Sequence, residues 1–429
     1  MQLDFHYYAT YCAAFLAGYS HEESMEICYS AQFCDNCTRT FLDSIGGPDT
    51  AATTQLTMEM AAAKTDTVGR QDITRIWSSF HFLPHDLYAQ VKGGKDFKNK
   101  YRLICRNNGA LVADTVNLAK GKGLQAAGVA MHVLADTWAH AYFAGTPSMA
   151  INNTNYHFYE VRLVDGEWID KRVTFGLTSG EDLENSKYIN TVSTNNENSV
   201  MSLGHGQAGH LPDYSCMRYR YMPAWSGYEE VLKDNPSDYY HAFSQMVYAL
   251  KYLRGEIPAF ELEHYDFETV APYEDEIRGI FEKRQLDDCA DWKALGEKLS
   301  GCEIADFDTA KYMQEYIDAP SDQKDETFLG KFINAALAQK GMVTDKIFKS
   351  GNLLAGYTVE DEKKEPPKAQ KPAEQKAEEV KAPEAAEQKT EEVKAPEAAK
   401  QKAEETITQK AEEAKAQEAE EQKAEGGRS

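Results

Sequence analysis

The chain runs to 429 residues and carries 46 lysines and arginines against 69 acidic residues, a formal charge of −23. That length allows one large core or two ordinary domains. That charge, with no basic stripe, excludes a general binder of phosphate backbones. The opening MQLDFHYYATYC lacks a basic n-region and puts Asp4 and His6 where a signal peptide is apolar. No run approaches the roughly eighteen apolar residues that a membrane span needs, so the expectation is a soluble, cytoplasmic protein with no transmembrane segment.

In chain order, DFHYYATYCAAFLAGY reads as a helix stopping at Gly18. Ser20 with Glu23 forms a capping box that opens a second helix through SMEICYSAQF. Helical periodicity returns at 51–63, 97–119, 124–143, 238–254, 272–284, 306–317 and 326–350. YEVRLVDGEWIDKRVTF (159–175) alternates around Asp165-Gly166 and predicts a β-hairpin. The stretch 176–200, rich in Ser, Thr, Asn and Gly, reads as a long loop. After Tyr357 the composition changes: no aromatic residue follows, and AEEVKAPEAAEQK (377–389) repeats as TEEVKAPEAAKQK (390–402). Pro383 and Pro396 interrupt each unit and there is no apolar stripe to bury. The expectation is mainly α: a multi-helical globular domain over 1–358 with a small β-hairpin, then a disordered or partly helical Ala/Glu/Lys/Pro tail over 359–429 that tethers a protein partner.

The eight cysteines are scattered, and the one CxxC, Cys34 to Cys37, has no partner motif, so they read as buried thiols. Chemistry concentrates elsewhere. In MHVLADTWAHAYFAG (131–145), His132, Asp136 and His140 stand four residues apart on otherwise apolar helix. Steps of four drift only about 40° around a helix, so all three share one face. His132 and His140 lie roughly 12 Å apart along the axis, too far to share one ion at about 2 Å per bond. The pattern suits several ions with Asp136 bridging. Ligand-capable residues recur in other short segments: His6, Asp35, SFHFLPHD with His81, His85 and Asp86, and LGHGQAGHLPD with His205, His210 and Asp213. A set of imidazoles and carboxylates is coherent for zinc.

The order of an early His, an Asp, a His in aromatic context, HxxxD with a following His, and a further His segment resembles the zinc-dependent phospholipase C and P1 nuclease superfamily. The globular part also resembles an uncharacterised bacterial family that opens with a DFHYY-like sequence and shares GHxxxGHLPD. The superfamily resemblance implies an all-α fold in which three zinc ions hydrolyse phosphate esters. Carried over, Asp35, His81, His132 and Asp136 hold one ion, and His140 with the His205 segment holds a second. A third shares Asp136 with His6 and the N-terminal amine, Asp4 being the alternative donor. Asp35 or Asp136 orients or deprotonates the attacking water. The family pattern wants an acid four residues after the last histidine, where this chain has Gly209. His210 with Asp213, at i and i+3, supplies a pair instead, and the choice between His205 and His210 stays open. His157 with Glu160 is a backup pair. Small-molecule and lipid phosphate esters both fit as substrates, and the acidic charge argues against long nucleic acids.

Two other readings compete. An HD-type metal phosphohydrolase would make His85 and Asp86 essential. A non-catalytic, metal-stabilised scaffold would need no open coordination position. His21 reads as an exposed residue after a cap, His241 and His264 as structural. Tyr7, Tyr8 and the MRYRYMPAW run (217–225) read as core.

Overall fold

The computed structural model describes residues 1–356 except 64–66, 155–156, 178–179 and 191–201. The repeat tail expected from 359 therefore lies outside the described residues, and contacts divide the chain into Met1–Pro366 and Pro367–Ser429. The first unit is mainly helical with a small antiparallel sheet. A π-helical turn, Asp4–Ala9, runs into α1 (Thr10–Leu16), which stops at Gly18 with φ +88°. The Ser20–Glu23 capping box is present and opens α2 (His21–Phe33). There follow α3 (Arg39–Ile45), α4 (Thr57–Ala63), α5 (Thr67–Phe80), α6 (Lys95–Tyr101), α7 (Ala110–Ala119), α8 (Leu124–Ala139) and the short α9 (Met149–Asn152). After the strands come α10 (Asn235–Arg254), α11 (Phe267–Val270), α12 (Glu274–Glu282), α13 (Cys289–Ser300), α14 (Met313–Asp318) and α15 (Phe328–Lys349).

Several helical expectations shorten: 124–143 ends at Ala139, and 272–284 narrows to Glu274–Glu282. The segment 51–63 is helical in earnest only from Thr57. The single helix expected over 97–119 is two, broken where Asn108 turns left-handed at φ +57° and Gly109 caps α7. Of 306–317 only the end is helical, because 304–309 runs irregularly and accepts hydrogen bonds from Tyr7, Tyr8 and Tyr29 through Ala305, Asp306, Asp308 and Thr309.

The hairpin forms as expected, β1 (Tyr159–Val164) against β2 (Glu167–Arg172), with Asp165 and Gly166 both at positive φ in the turn. It belongs to a larger sheet. β3 (Thr174–Gly176) pairs in parallel with β4 (Lys187–Ile189), so the expected loop 176–200 holds a short strand. β5 (Arg218–Tyr221) and β6 (Val231–Asp234) extend the hairpin into a four-stranded sheet of order β2-β1-β5-β6. No described helix is long and apolar enough to cross a membrane.

The core is organised on α8. Every residue from Gln125 to Ala139 is buried, so the helix is wrapped on all sides. α2, α10, α15 and α7 pack around it. Gly128 lets α2 approach closely: a Cβ there would fall 2.4 Å from the Ile27 carbonyl oxygen and 2.5 Å from Ser30 Cβ on α2. That approach brings Asp35, just past the end of α2, to the polar face of α8.

Candidate metal centre

Burying His132, Asp136 and His140 inside an apolar packing is costly unless their polar atoms find partners. The fold supplies those partners from four other segments. His6, on the π-turn, stacks on His132 with ring centroids 4.1 Å apart and sets Nε2 3.1 Å from Asp136 Oδ1. Asp35 reaches His6 Nε2 at 3.9 Å and His81 Nδ1 at 3.7 Å. His81, just after α5, points Nδ1 at Asp136 Oδ2, 3.2 Å away, and at His132 Nε2, also 3.2 Å away. His140, the C-cap of α8, lies one residue beyond the helix but keeps its backbone bond to Asp136, and its Nε2 sits 3.0 Å from Asp213 Oδ1. The Met1 amine donates to Asp136 Oδ1 at 2.8 Å, lies 3.2 Å from His140 Nε2 and 3.3 Å from Asp213 Oδ1.

Ligand atoms gather into three groups, each within 4.8 Å: His6, Asp35 and His132; His81, His132 and Asp136, which shares His132 with the first; and His140, His205 and Asp213, joined to the others through Asp136 beside His140. Of the ligand set expected from sequence, eight of the nine residues thus fall in one cluster. The ninth, His210, stands at its edge: its side chain is 60% exposed, and its Nδ1 is 3.0 Å from Asp213 Oδ2. Inside the site His205 is the imidazole and His210 orients Asp213.

Other expectations move away. Asp4 does not face the cluster; its carboxylate accepts from the backbone N–H groups of Phe5 and Asp288, and the Met1 amine itself occupies the place. His85 bonds the Asn107 carbonyl, and exposed Asp86 accepts from the Tyr88 N–H, so the pair required by an HD-type site is elsewhere. The backup pair separates: Glu160 is buried against Ser186, Tyr188 and Arg284, while His157 is exposed beside Arg172. Cys34 and Cys37 are free, buried thiols, with burial pushing Cys37 up to about 12. His241 bonds the Ser237 carbonyl and stacks on Trp138; His21 is tied to the Tyr11 hydroxyl rather than free in solvent.

Backbone carbonyls fix which nitrogen of three inner rings donates away from the cluster. A carbonyl can only accept, so His81 donates from Nε2 to Thr53 (3.0 Å), His140 from Nδ1 to His81 (2.7 Å) and His205 from Nδ1 to Gly209 (2.7 Å). The other nitrogen of each ring faces the cluster and its carboxylates. Burial pulls His6, His132 and His205 down to about 4, so at neutral pH these are neutral imidazoles, the form that ligates metal. Burial alone would push Asp136 and Asp213 up, but the histidines and the Met1 amine outweigh it and hold both carboxyls well below their usual range. Burial raises Asp35, only partly opposed by His6 and His81. The Met1 amine, which burial would lower, is carried to about 11 by Asp136, Asp213 and Asp35.

The carbonyls of Thr53 and Gly209 carry no sequence signal, because any residue offers one. The aromatic wall could have been read more closely: Trp77 and Phe82 flank His81 in sequence, and they lie against His81 and His140 with ring centroids 4.8 Å apart in each case.

Fold and site together define a mainly helical protein with a buried His/Asp cluster suited to metal ions. Over residues 1–347 the chain matches the family of unknown function DUF6765, and it belongs to that family. No curated protein and no solved structure matches it.

Proposed function

We propose that the cluster is a multinuclear zinc centre and that the protein is a metal-dependent hydrolase of phosphate esters, resembling the phospholipase C and P1 nuclease superfamily. The observation that carries this reading is the convergence of ring nitrogens and carboxylate oxygens from distant segments on one buried place. His81 Nδ1 and His132 Nε2 stand 3.2 Å apart and both lie within 3.3 Å of Asp136 Oδ2, while the proton of His81 is committed to Thr53. Imidazole nitrogens and carboxylate oxygens gathered this closely form the kind of donor set that zinc takes. His140 Nε2, 3.0 Å from Asp213 Oδ1, adds a further such group, with the Met1 amine 3.2 Å from the ring nitrogen.

When bound, such ions act as Lewis acids toward a phosphoryl oxygen and make water a nucleophile near neutral pH. The chain's own residues divide the remaining work. Asp136 is 1% exposed and engaged by His6, His81, His132 and the Met1 amine, so its role is to bridge and neutralise charge. Asp35 has 30% of its side chain exposed, which makes it the carboxylate able to hold a water from solvent and accept its proton. Trp77 and Phe82 keep the wall behind His81 and His140 apolar, which strengthens the electrostatics within. The opening at Asp35 favours this reading over a closed structural site.

The test is metal analysis of the full chain beside Asp136→Asn, followed by hydrolysis of a phosphodiester and a phosphomonoester nitrophenyl ester. The expected result is about two to three zinc equivalents, falling below about one in the variant, with metal-dependent hydrolysis of at least one ester. Zinc without hydrolysis would leave the scaffold reading. Folded, metal-free protein would reduce the cluster to a buried polar network.

A further inference from the structure

A second constellation lies beyond the metal cluster, on the turn that follows His140. Tyr142 sits at φ +82°, a conformation in which a bulky side chain is strained. The strain is enforced by backbone bonds on both sides: Tyr142 N–H donates to the Cys105 carbonyl at 2.8 Å, and Cys105 N–H to Phe143 at 2.7 Å. Trp225 Nε1–H adds a bond to the Tyr142 carbonyl at 3.3 Å. The result is that the Tyr142 and Trp225 rings stack, 28° from parallel and 6.3 Å between centroids, with the Tyr101 ring edge-on to Trp225.

Arg106 lies over this platform, its guanidinium carbon 4.7 Å from the Tyr142 centroid and 5.7 Å from that of Trp225. Among the described residues it is the one arginine with neither a hydrogen bond nor an ion pair, in a chain where acids outnumber bases by 69 to 46. Arg106 is half-buried, and its five guanidinium donors are left for solvent or a ligand to answer. A second, independent observation stands beside it. The hydroxyls of Tyr221 and Tyr219, on the inner face of β5, are buried with no partner; the residues are 2% and 0% exposed. Phe143 stacks parallel on Tyr221 at 5.6 Å, which joins the two tyrosines to the Tyr142 turn. Burial, with Tyr142 adding to it and Arg106 opposing it, holds the Tyr221 hydroxyl well above its ordinary range.

We propose that Arg106, seated on Tyr142 and Trp225, is a binding site for an oxyanion, a phosphate or carboxylate group, with the Tyr221 hydroxyl as a further donor. The stacked rings hold the guanidinium plane in place, so little side-chain freedom is lost when its fork meets a planar or tetrahedral anion. The strain at Tyr142 is explained by the same requirement, since that backbone turn is what sets its ring beneath the cation. The site does not depend on the metal reading, because none of its residues belongs to the cluster.

Trp225 makes the site visible. Inorganic phosphate and, separately, acetate are titrated into the full chain while tryptophan fluorescence is followed, with and without a chelator. The expected result is a saturable change in the wild type that persists with the chelator. It should weaken about tenfold in Arg106→Lys and vanish in Arg106→Gln. Phosphate saturating first assigns a phosphoryl group, acetate first a carboxylate. No saturable change with either anion overturns the proposal, as does an unchanged response in Arg106→Gln. Circular dichroism checks the fold of that variant, and should it not fold, equal affinity in Arg106→Lys and wild type overturns the proposal instead.

Discussion

At the scale of single residues, the two histidines of GHGQAGHLPD show how far ligand chemistry is legible. Both are ligand types, both precede Asp213, and spacing does not separate them. The structure separates them by the direction of one proton: His205 commits Nδ1 to its own Gly209 carbonyl and turns Nε2 inward, whereas His210 faces solvent and only braces Asp213. His205→Ala is therefore expected to lose about one equivalent of bound metal, and His210→Ala to keep the wild-type content. Equal loss in both, measured by elemental analysis, would return His210 to the ligand set. Residue types were readable because His and Asp are rare on apolar segments. Which nitrogen points inward was not, because that depends on backbone carbonyls brought up by folding.

At the scale of elements, the four-residue repeat on α8 announced a polar face, and the face is there. What the repeat could not announce is that α8 is buried all round, because the packing partners lie far off in sequence. Gly128 shows the physical reason for the α2 contact. An added methyl would meet the Ile27 carbonyl and Ser30 at distances that backbone must yield to. Gly128→Ala should gain about 1 kcal/mol of helix propensity yet lose more to overpacking, for a net destabilisation of about 1–2 kcal/mol. Because α2 leads to Asp35 and α8 carries His132, the same variant should also bind metal more weakly. Denaturant unfolding and a metal titration check the two effects; a variant as stable as the parent would mean that α2 and α8 do not pack this closely. The hairpin was readable from Asp165-Gly166, whose turn is local. Its sheet partners were not: the alternation of RYRY in β5 looks the same in a strand as in an aromatic core segment, and Tyr219 and Tyr221 are in fact both.

At the scale of the molecule, α15 closes the fold over the loop that supports the His/Asp cluster, and it does so with a buried cation. Lys340 is 7% exposed and donates to the carbonyls of Thr50 and Ala52, one residue before the Thr53 carbonyl that orients His81. Burial lowers its ammonium to about 8 from an ordinary 10.5. The folded state thus disfavours the charged form, so below about pH 8, where both states are protonated, the penalty is present in full. Between about 8 and 10.5 the unfolded chain holds the proton and the folded chain has lost it, so this group's contribution to stability rises with pH; above that it is constant. A difference of about 2.5 units amounts to an order of 3 kcal/mol. The buried thiols and phenols, raised by burial, act in the opposite sense over the same range, but they are common to wild type and Lys340→Met and cancel in the difference. The unfolding free energy of the wild type relative to Lys340→Met should therefore climb by about 3 kcal/mol from pH 7.5 to 10.5. A difference that stays flat across that range would mean that Lys340 keeps its charge in the fold, and that the loop carrying Thr53 is held by an ammonium with ready access to water.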